Sequence, residues 1–189
     1  MCGRMNVSDD PNVQAFMDAL GMPIYPEPNP DLRPTDETLL IILEKSGMTA
    51  KTMSWGIQPS WSKQLLINAK SETIAEKPTF KSAFNLHRGL VVCSGWYEWK
   101  GEGGKKKQKY LIQHSLKQPM LMAAVYYPVT NQFVTLTTSP SDKLKQVHHR
   151  TPLIIHGDEM DIWLNGTQED TLPLMHSLRD EEVEFQAVS

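Results

Sequence analysis

The clearest helical spacing of apolar side chains lies near the start of the chain. Val13, Phe16, Met17 and Leu20 recur every three or four residues, which predicts a helix over 8–21. Ser8 can cap it, Asp9 and Asp10 favour its positive end, Pro11 suits its first turn and Gly21 is a stop signal. Pro23, Pro26, Pro28 and Pro30 then forbid a helix and predict an extended surface loop. Further on the pattern changes to short apolar runs. Residues 38–43 have the length of a buried strand, and 53–57 form a second candidate. Segments 71–76 and 79–86 read as helical, separated by Pro78. Beyond them β-branched and aromatic residues, bounded by turn residues, predict strands over 90–94, 96–100, 110–114, 121–127 and 133–138. Residues 101–107 read as a flexible hairpin tip, and Pro152 opens an apolar stretch through Ile155. Segments 158–164 and 172–179 read as short helices, and 183–188 as a closing strand. No repeat and no long linker divides the chain, which points to one α+β domain built on antiparallel sheet.

Composition narrows the class without naming a function. The chain has 189 residues, 40% of them apolar and 22% charged, an ordinary globular mixture. Collagen-like, low-complexity and highly charged disordered classes are excluded. No run approaches the ~18 apolar residues of a membrane span. The first six residues do not open a secretory signal. Two cysteines, Cys2 and Cys93, cannot build a disulfide framework, so a reducing cytoplasm is expected. The net charge of −3 is unevenly spread, because residues 157–189 carry nine acids and one base, Arg179. The rest of the chain is therefore basic. That division fits a solvated acidic surface, or a basic face for polyanions with the acids kept elsewhere.

Four segments carry candidate chemistry. Removal of Met1, which a small second residue permits, makes Cys2 the N-terminus, with a thiol and a free amine on neighbouring carbons. With reference pKa values of ~8.5 and ~7.7–8.0, both nucleophiles are partly available near neutral pH. Such an aminothiol attacks an aldehyde to give a Schiff base and then closes a thiazolidine ring, which an internal cysteine cannot do; the plain alternative is an incidental cysteine at position 2. Trp55 and Trp61 flank a Gly/Pro-containing loop, as a stacking surface for bases or as core, and Asn68 can orient a carbonyl or an amine, or cap a turn. Glu98 lies among aromatics in Gly95-Trp96-Tyr97-Glu98-Trp99, either desolvated and tuned for proton transfer or facing solvent. His148 can move protons, and Arg150 can fork onto a phosphate. A zinc reading of His148, His149 and the two cysteines lacks the usual ligand spacing, so no metal and no cofactor is expected.

Together these segments resemble the SRAP family, the SOS-response-associated peptidases or abasic-site-shielding proteins. The family's Met-Cys-Gly-Arg start stands here as Met1 to Arg4, and its Trp-Gly-x-x-Pro-x-Trp loop as Trp55 to Trp61. Asn-Ala-Arg-x-Glu-Thr stands as Asn68 to Thr73, with Lys70 in the Arg place. Gly-Phe/Trp-Tyr-Glu-Trp stands as Gly95 to Trp99, and Ile-His-x-Arg-Met-Pro as Val147 to Pro152, with Thr151 for Met. A weaker match sets Arg33-Pro34-Thr35-Asp36 against Ala-Pro-Thr-Gln. With the pattern above, the expected fold is a single α+β domain over 1–189, with a mostly antiparallel, barrel-like β-sheet core and short peripheral helices.

The resemblance implies that mature Cys2 forms a thiazolidine with the ring-opened aldehyde of an abasic site in single-stranded DNA. Asn68 would position Cys2 and the sugar. Glu98 would be the acid/base of Schiff-base formation, and His148 the proton donor that opens the sugar ring. Arg4, Lys70 and Arg150 would grip phosphates, with Trp61 near the strand path. Lys70 keeps the charge of the family's Arg but not its fork. The implied protein is a monomer that joins the nucleoid when on DNA and touches no membrane. It would have autopeptidase-type removal of Met1, and AP-lyase activity is the further chemistry implied. Two other readings stand beside it: a cysteine peptidase with Cys2 as nucleophile and His148 as base, and a non-covalent single-strand binder using Trp55, Trp61 and the lysines from Lys105 to Lys109.

Overall fold

Runs that are apolar at every position belong to strands buried on both faces, and here they separate two cores. Along the strand Glu37–Glu44, Leu39 and Ile41 join one core while Leu40 and Ile42 join the other. Arg88–Cys93 and Met120–Tyr127 alternate in the same way, Leu90 and Leu121 on one side, Val91 and Met122 on the other. The first core adds Val13, Met17, Phe84 and Trp163 from the helices; the second adds Met5, Trp96, Ile112 and Val183 from a second sheet. The architecture, a computed structural model, describes residues 3–101 and 107–188. Met1, Cys2, residues 102–106 and Ser189 lie outside the described residues, and with them Cys2 and most of the expected hairpin tip.

Five strands close on themselves. Gln132–Thr138 pairs with Gly47–Trp55, then Glu37–Glu44, Arg88–Cys93 and Met120–Tyr127 follow, and the last returns to Gln132–Thr138. The pairing of Gln132–Thr138 with Gly47–Trp55 is parallel and the rest are antiparallel. This is the expected α+β, mostly antiparallel, barrel-like core. The short strand Asn68–Lys70 extends the parallel edge, with Asn68 opposite Thr135 and Lys70 opposite Thr137. The second sheet is antiparallel throughout, in the order Val183–Val188, Gln108–His114, Gly95–Lys100, Met5–Val7, Asn29–Leu32.

Several local expectations shift. The first helix is Pro11–Ala19, and Asp10 rather than Ser8 caps it, accepting the Asn12 N–H at 2.9 Å. Pro11 takes the first helical position, so the cap sits immediately before it. The proline-rich loop ends in the edge strand Asn29–Leu32, where the missing Pro30 N–H is tolerated, and its partner Met5–Val7 is too short to leave a strand pattern in the sequence. Gly47–Trp55 begins well before residue 53, since its first half is partly exposed and only lightly apolar. The helix expected over 71–76 shrinks to a 3-10 turn, Ser71–Thr73, and Pro78 opens the next helix, Pro78–Leu86. The helix expected over 172–179 is a single 3-10 turn, Leu172–Leu174, preceded by Gln168–Thr171. No helix among the described residues is long and apolar enough to cross a membrane. The acidic tail is not simply a solvated face. Glu184 pairs with Lys117, Glu182 lies 3.7 Å from His156, and Asp180 accepts the Lys143 N–H at 3.0 Å.

Gly95 shows why its motif begins with glycine. A Cβ there would stand 2.3 Å from the Ile112 carbonyl oxygen on the neighbouring strand. Gly95→Ala is expected to force the two strands apart and cost about 3 kcal/mol, read as a lower urea midpoint with unchanged slope.

Candidate functional site

The strand Gly95–Lys100 sorts its side chains by alternation. Trp96 enters the second core, and Glu98 follows on the same face with 3% exposure. Burial pushes the Glu98 carboxyl up to about 7, so at neutral pH it can either give or take a proton. The expectation of a desolvated acid therefore holds, and the solvent-facing alternative does not. Met5 pairs with Trp96, and the Tyr97 N–H donates to the Arg4 carbonyl at 3.0 Å. The first described residues thus run antiparallel along this strand toward Glu98.

His148 Nε2 stands 4.0 Å from Glu98 Oε2. His148 follows the short helix Asp142–Lys145, and partial burial pushes its pKa below the ordinary histidine value. Its ring lies against that of His149, 4.3 Å between centroids. Nδ1 faces the Arg150 backbone, with the N–H at 3.1 Å and the carbonyl at 3.2 Å. An acid poised near neutrality therefore faces an imidazole that stays uncharged there, a pair suited to passing protons.

The strand Gln132–Thr138 gathers the next group. Thr135 Oγ1 donates to Asn68 Oδ1 at 2.5 Å, which orients the amide and sets its NH2 as the donor end. Asn68 is thus a strand residue, not a turn or helix cap. Two residues on, the Thr137 carbonyl accepts from Arg150 Nη2 at 2.7 Å. The Arg150 fork meets Glu72, Nη1 to Oε1 at 2.7 Å and Nη2 to Oε2 at 2.8 Å, and holds the Glu72 carboxyl down at about 2. Lys70, in register with Thr137, is exposed. Thr135 leaves no local pattern in the sequence, because it acts through a partner 67 residues away; Glu72 stands in the Asn68 to Thr73 motif but its role depends on a partner 78 residues on.

The remaining candidates divide. Arg4 shares the opposite face of the Glu98 strand with Trp99, over whose ring its guanidinium lies at 5.8 Å, and it pairs with Asp31 at 2.6 Å. Lys109 joins that face, 4.1 Å above the Tyr97 ring. Trp55 and Trp61 do not act together. Trp55 is fully buried and stacks on Phe133, whereas Trp61 is 69% exposed. Trp61 lines an open cleft with Gln58, Pro78 and Tyr127. Thr35, in the weakly matching loop, takes a left-handed φ of 79° and donates its N–H to the Trp55 carbonyl at 2.8 Å. Cys93 is buried, and burial pushes its thiol up to about 12, as suits a packing residue and not a nucleophile. Among the described residues, no three His, Cys, Asp or Glu side chains converge to hold a metal ion.

Known proteins agree with this arrangement at the level of family and fold. The family model for SOS response associated peptidase (SRAP) matches residues 1–189. The abasic site processing protein YoaM of Bacillus subtilis is 29% identical over 181 residues, covering 87% of this chain and 79% of that protein. The abasic site processing protein YedK of Escherichia coli is 30% identical over 152 residues, covering 76% and 68%. A phage-related protein of Bordetella bronchiseptica superposes with a TM-score of 0.81 at 23% identity, covering 99% of this chain and 94% of that one. A protein from Bacteroides thetaiotaomicron does so with a TM-score of 0.79 at 19% identity, covering 100% and 92%.

Proposed function

The chain belongs to the SRAP family, and on that premise we propose that it processes abasic sites in single-stranded DNA by covalent capture on Cys2. The observation that carries the reading is the buried Glu98, raised to about 7, with His148 Nε2 4.0 Å away. The family match over the whole chain and the relatives named abasic site processing proteins support it.

An abasic deoxyribose is mostly a closed hemiacetal. Opening it takes a proton from the C1′ hydroxyl and gives one to the ring oxygen, the step assigned to His148. With Met1 removed, the Cys2 amine adds to the C1′ aldehyde to form a carbinolamine. Glu98 in its acid form protonates the departing hydroxyl, water leaves, and the nitrogen proton of the resulting iminium returns to the Glu98 carboxylate to leave an imine. The Cys2 thiol then adds to the imine carbon, its proton passes to nitrogen, and a five-membered thiazolidine closes. The balance is aldehyde plus aminothiol giving thiazolidine plus water. Asn68, oriented by Thr135, presents its NH2 as the donor that aligns the reacting groups. Arg4, Lys70 and Arg150 supply positive charge for the phosphates, and Trp61 supplies an exposed face on which a base can stack. The same reading makes the protein a monomer with no cofactor and removal of Met1 a maturation step.

The test is a denaturing gel of mature protein with single-stranded DNA carrying one abasic site, with loss of Met1 verified by intact mass. A shifted covalent band is expected. Its absence from protein shown to lack Met1 would sink the proposal.

A further inference from the structure

We propose that Arg33 and Lys109 join Arg4 in a phosphate subsite for the DNA strand, and that the Asp31 carboxylate holds the place of that phosphate until the strand arrives. The inference rests on the function proposed above in taking single-stranded DNA as the ligand, and it adds Arg33, Lys109 and Asp31 to the site. Three cations converge on the one carboxylate. Arg4 Nη1 donates to Asp31 Oδ1 at 2.6 Å. Arg33 sets its fork on Oδ2, Nη2 at 2.7 Å and Nε at 3.1 Å. Lys109 Nζ stands 4.0 Å from Oδ1. Two rings of the strand Gly95–Lys100 support the cations. Lys109 Nζ lies 4.1 Å from the Tyr97 centroid, and Lys109 and Arg4 each lie 5.8 Å from that of Trp99.

The cluster has the chemistry of an oxyanion site. A guanidinium fork matches the paired oxygens of a carboxylate and of a phosphodiester alike, so either can sit between these cations. Asp31 is an anion at neutral pH, because the Arg33 fork, and after it Arg4, hold its carboxyl below the ordinary value. One carboxylate cancels only part of the charge of three cations. Exposure decides which contact gives way. Arg33 is 60% exposed and Asp31 37%, and an ion pair so open to water contributes little, so a strand phosphate replaces the carboxylate at small cost. The backbone beneath stays fixed while the side chains exchange partners. Asp36 Oδ2 accepts the Arg33 N–H at 2.9 Å, and Asn29 Oδ1 accepts the Asp31 N–H at 3.1 Å. Arg33 and Asp36 are also the two positions at which this loop departs from Ala-Pro-Thr-Gln, so the extra cation comes with the acid that holds its backbone. Arg4 follows Cys2 by two residues, a backbone reach of at most about 7 Å, so the subsite serves a phosphate close to the sugar that Cys2 captures.

Binding of an intact single-stranded oligonucleotide, followed by fluorescence anisotropy across a salt series, tests this. Arg33→Ala is expected to lose one phosphate contact. The slope of log affinity against log salt becomes shallower by about 0.7, which at ~0.1 M salt is about a fivefold weaker affinity. Lys109→Ala should lose a similar amount. Arg33→Lys, which keeps the charge without the fork, should hold the slope and recover part of the affinity. Asp31→Asn should bind about threefold or more tighter, with a steeper slope, since the strand no longer displaces a resident anion. Arg33 is mostly exposed, so Arg33→Ala keeps its fold and the test does not depend on how well Asp31→Asn folds. Wild-type affinity and slope in both alanine variants would overturn the subsite. So would an Asp31→Asn protein of wild-type melting temperature that binds no tighter, the behaviour of an acid that only scaffolds the loop. The oligonucleotide carries no abasic site, so the two readings fail separately. A wild type that binds it but forms no covalent band with abasic DNA sinks capture on Cys2 and leaves the subsite standing. Unchanged alanine variants beside a wild type that crosslinks sink the subsite and leave capture standing.

Discussion

Cys2→Ala, with Met1 removed, is expected to abolish the heat-stable adduct with abasic single-stranded DNA while leaving an imine that borohydride traps. The substitution takes away the thiol and keeps the α-amine, and alanine is small enough to permit the same loss of Met1. The amine still condenses with the aldehyde, but nothing intramolecular adds to the imine carbon, so hydrolysis returns the free aldehyde. Without the reductant, adduct surviving a denaturing gel should drop on the order of 100-fold or more. With the reductant, a band should reappear. Binding to intact single strands should be spared, since that affinity resides in cations and stacking. A heat-stable adduct of wild-type yield in the alanine variant would show that another residue is the nucleophile. Cys93 is a poor substitute, with its thiol buried and pushed up to about 12.

Glu98→Gln should move activity and stability in opposite directions. The amide has the shape of the acid but does not titrate, so it neither protonates a leaving hydroxyl nor takes a proton back. The expected loss is about 10²–10⁴ in crosslinking rate, together with loss of the limb of the pH–rate profile that titrates near neutrality. Stability follows from linkage. Burial raises the Glu98 pKa from 4.5 to about 7, so the unfolded chain ionises first as the pH rises. Below about 4.5 both states are protonated and the residue costs nothing; between about 4.5 and about 7 the folded state progressively loses stability relative to the unfolded one. Glutamine has no such titration. The melting temperature of Glu98→Gln should thus gain on wild type from pH ~5 to pH ~8, then level off. A variant less stable than wild type at pH ~8, or one with undiminished rate, would remove Glu98 from the proposed role. The same measurement guards against mistaking a misfolded variant for a catalytic one.

The sequence could be read wherever a local rule governs. Period-two and continuous apolar runs marked most strands of the closed circuit, because burial on both faces selects the same β-branched and aromatic residues whatever lies across the sheet. Cys2, Asn68, Glu98 and His148 were legible as a set because each sits in a short motif whose order along the chain can be matched. Met5–Val7 was not legible, being a three-residue strand that exists only through its pairing with Trp96 and Leu32. Nor was the helix cap, where Pro11 displaced the choice from Ser8 to Asp10 by setting the first helical residue.

What the sequence determined by itself is the chemistry on offer: a second-position cysteine, an acid among aromatics, a histidine, and a charge of −3 divided between a basic body and an acidic end. Only the tertiary structure decided how those groups are tuned and paired. A pKa depends on how much water surrounds the carboxyl, and the burial of Glu98 arises from packing between two sheets far apart in the chain. The sequence presents Arg150 as a cation available to phosphate; the fold brings Glu72 to its fork across 78 residues. Trp55 and Trp61 belong to one loop and have opposite fates, one stacked on Phe133 and the other in solvent, because exposure is set by the surface that closes over a side chain and not by its neighbours in sequence.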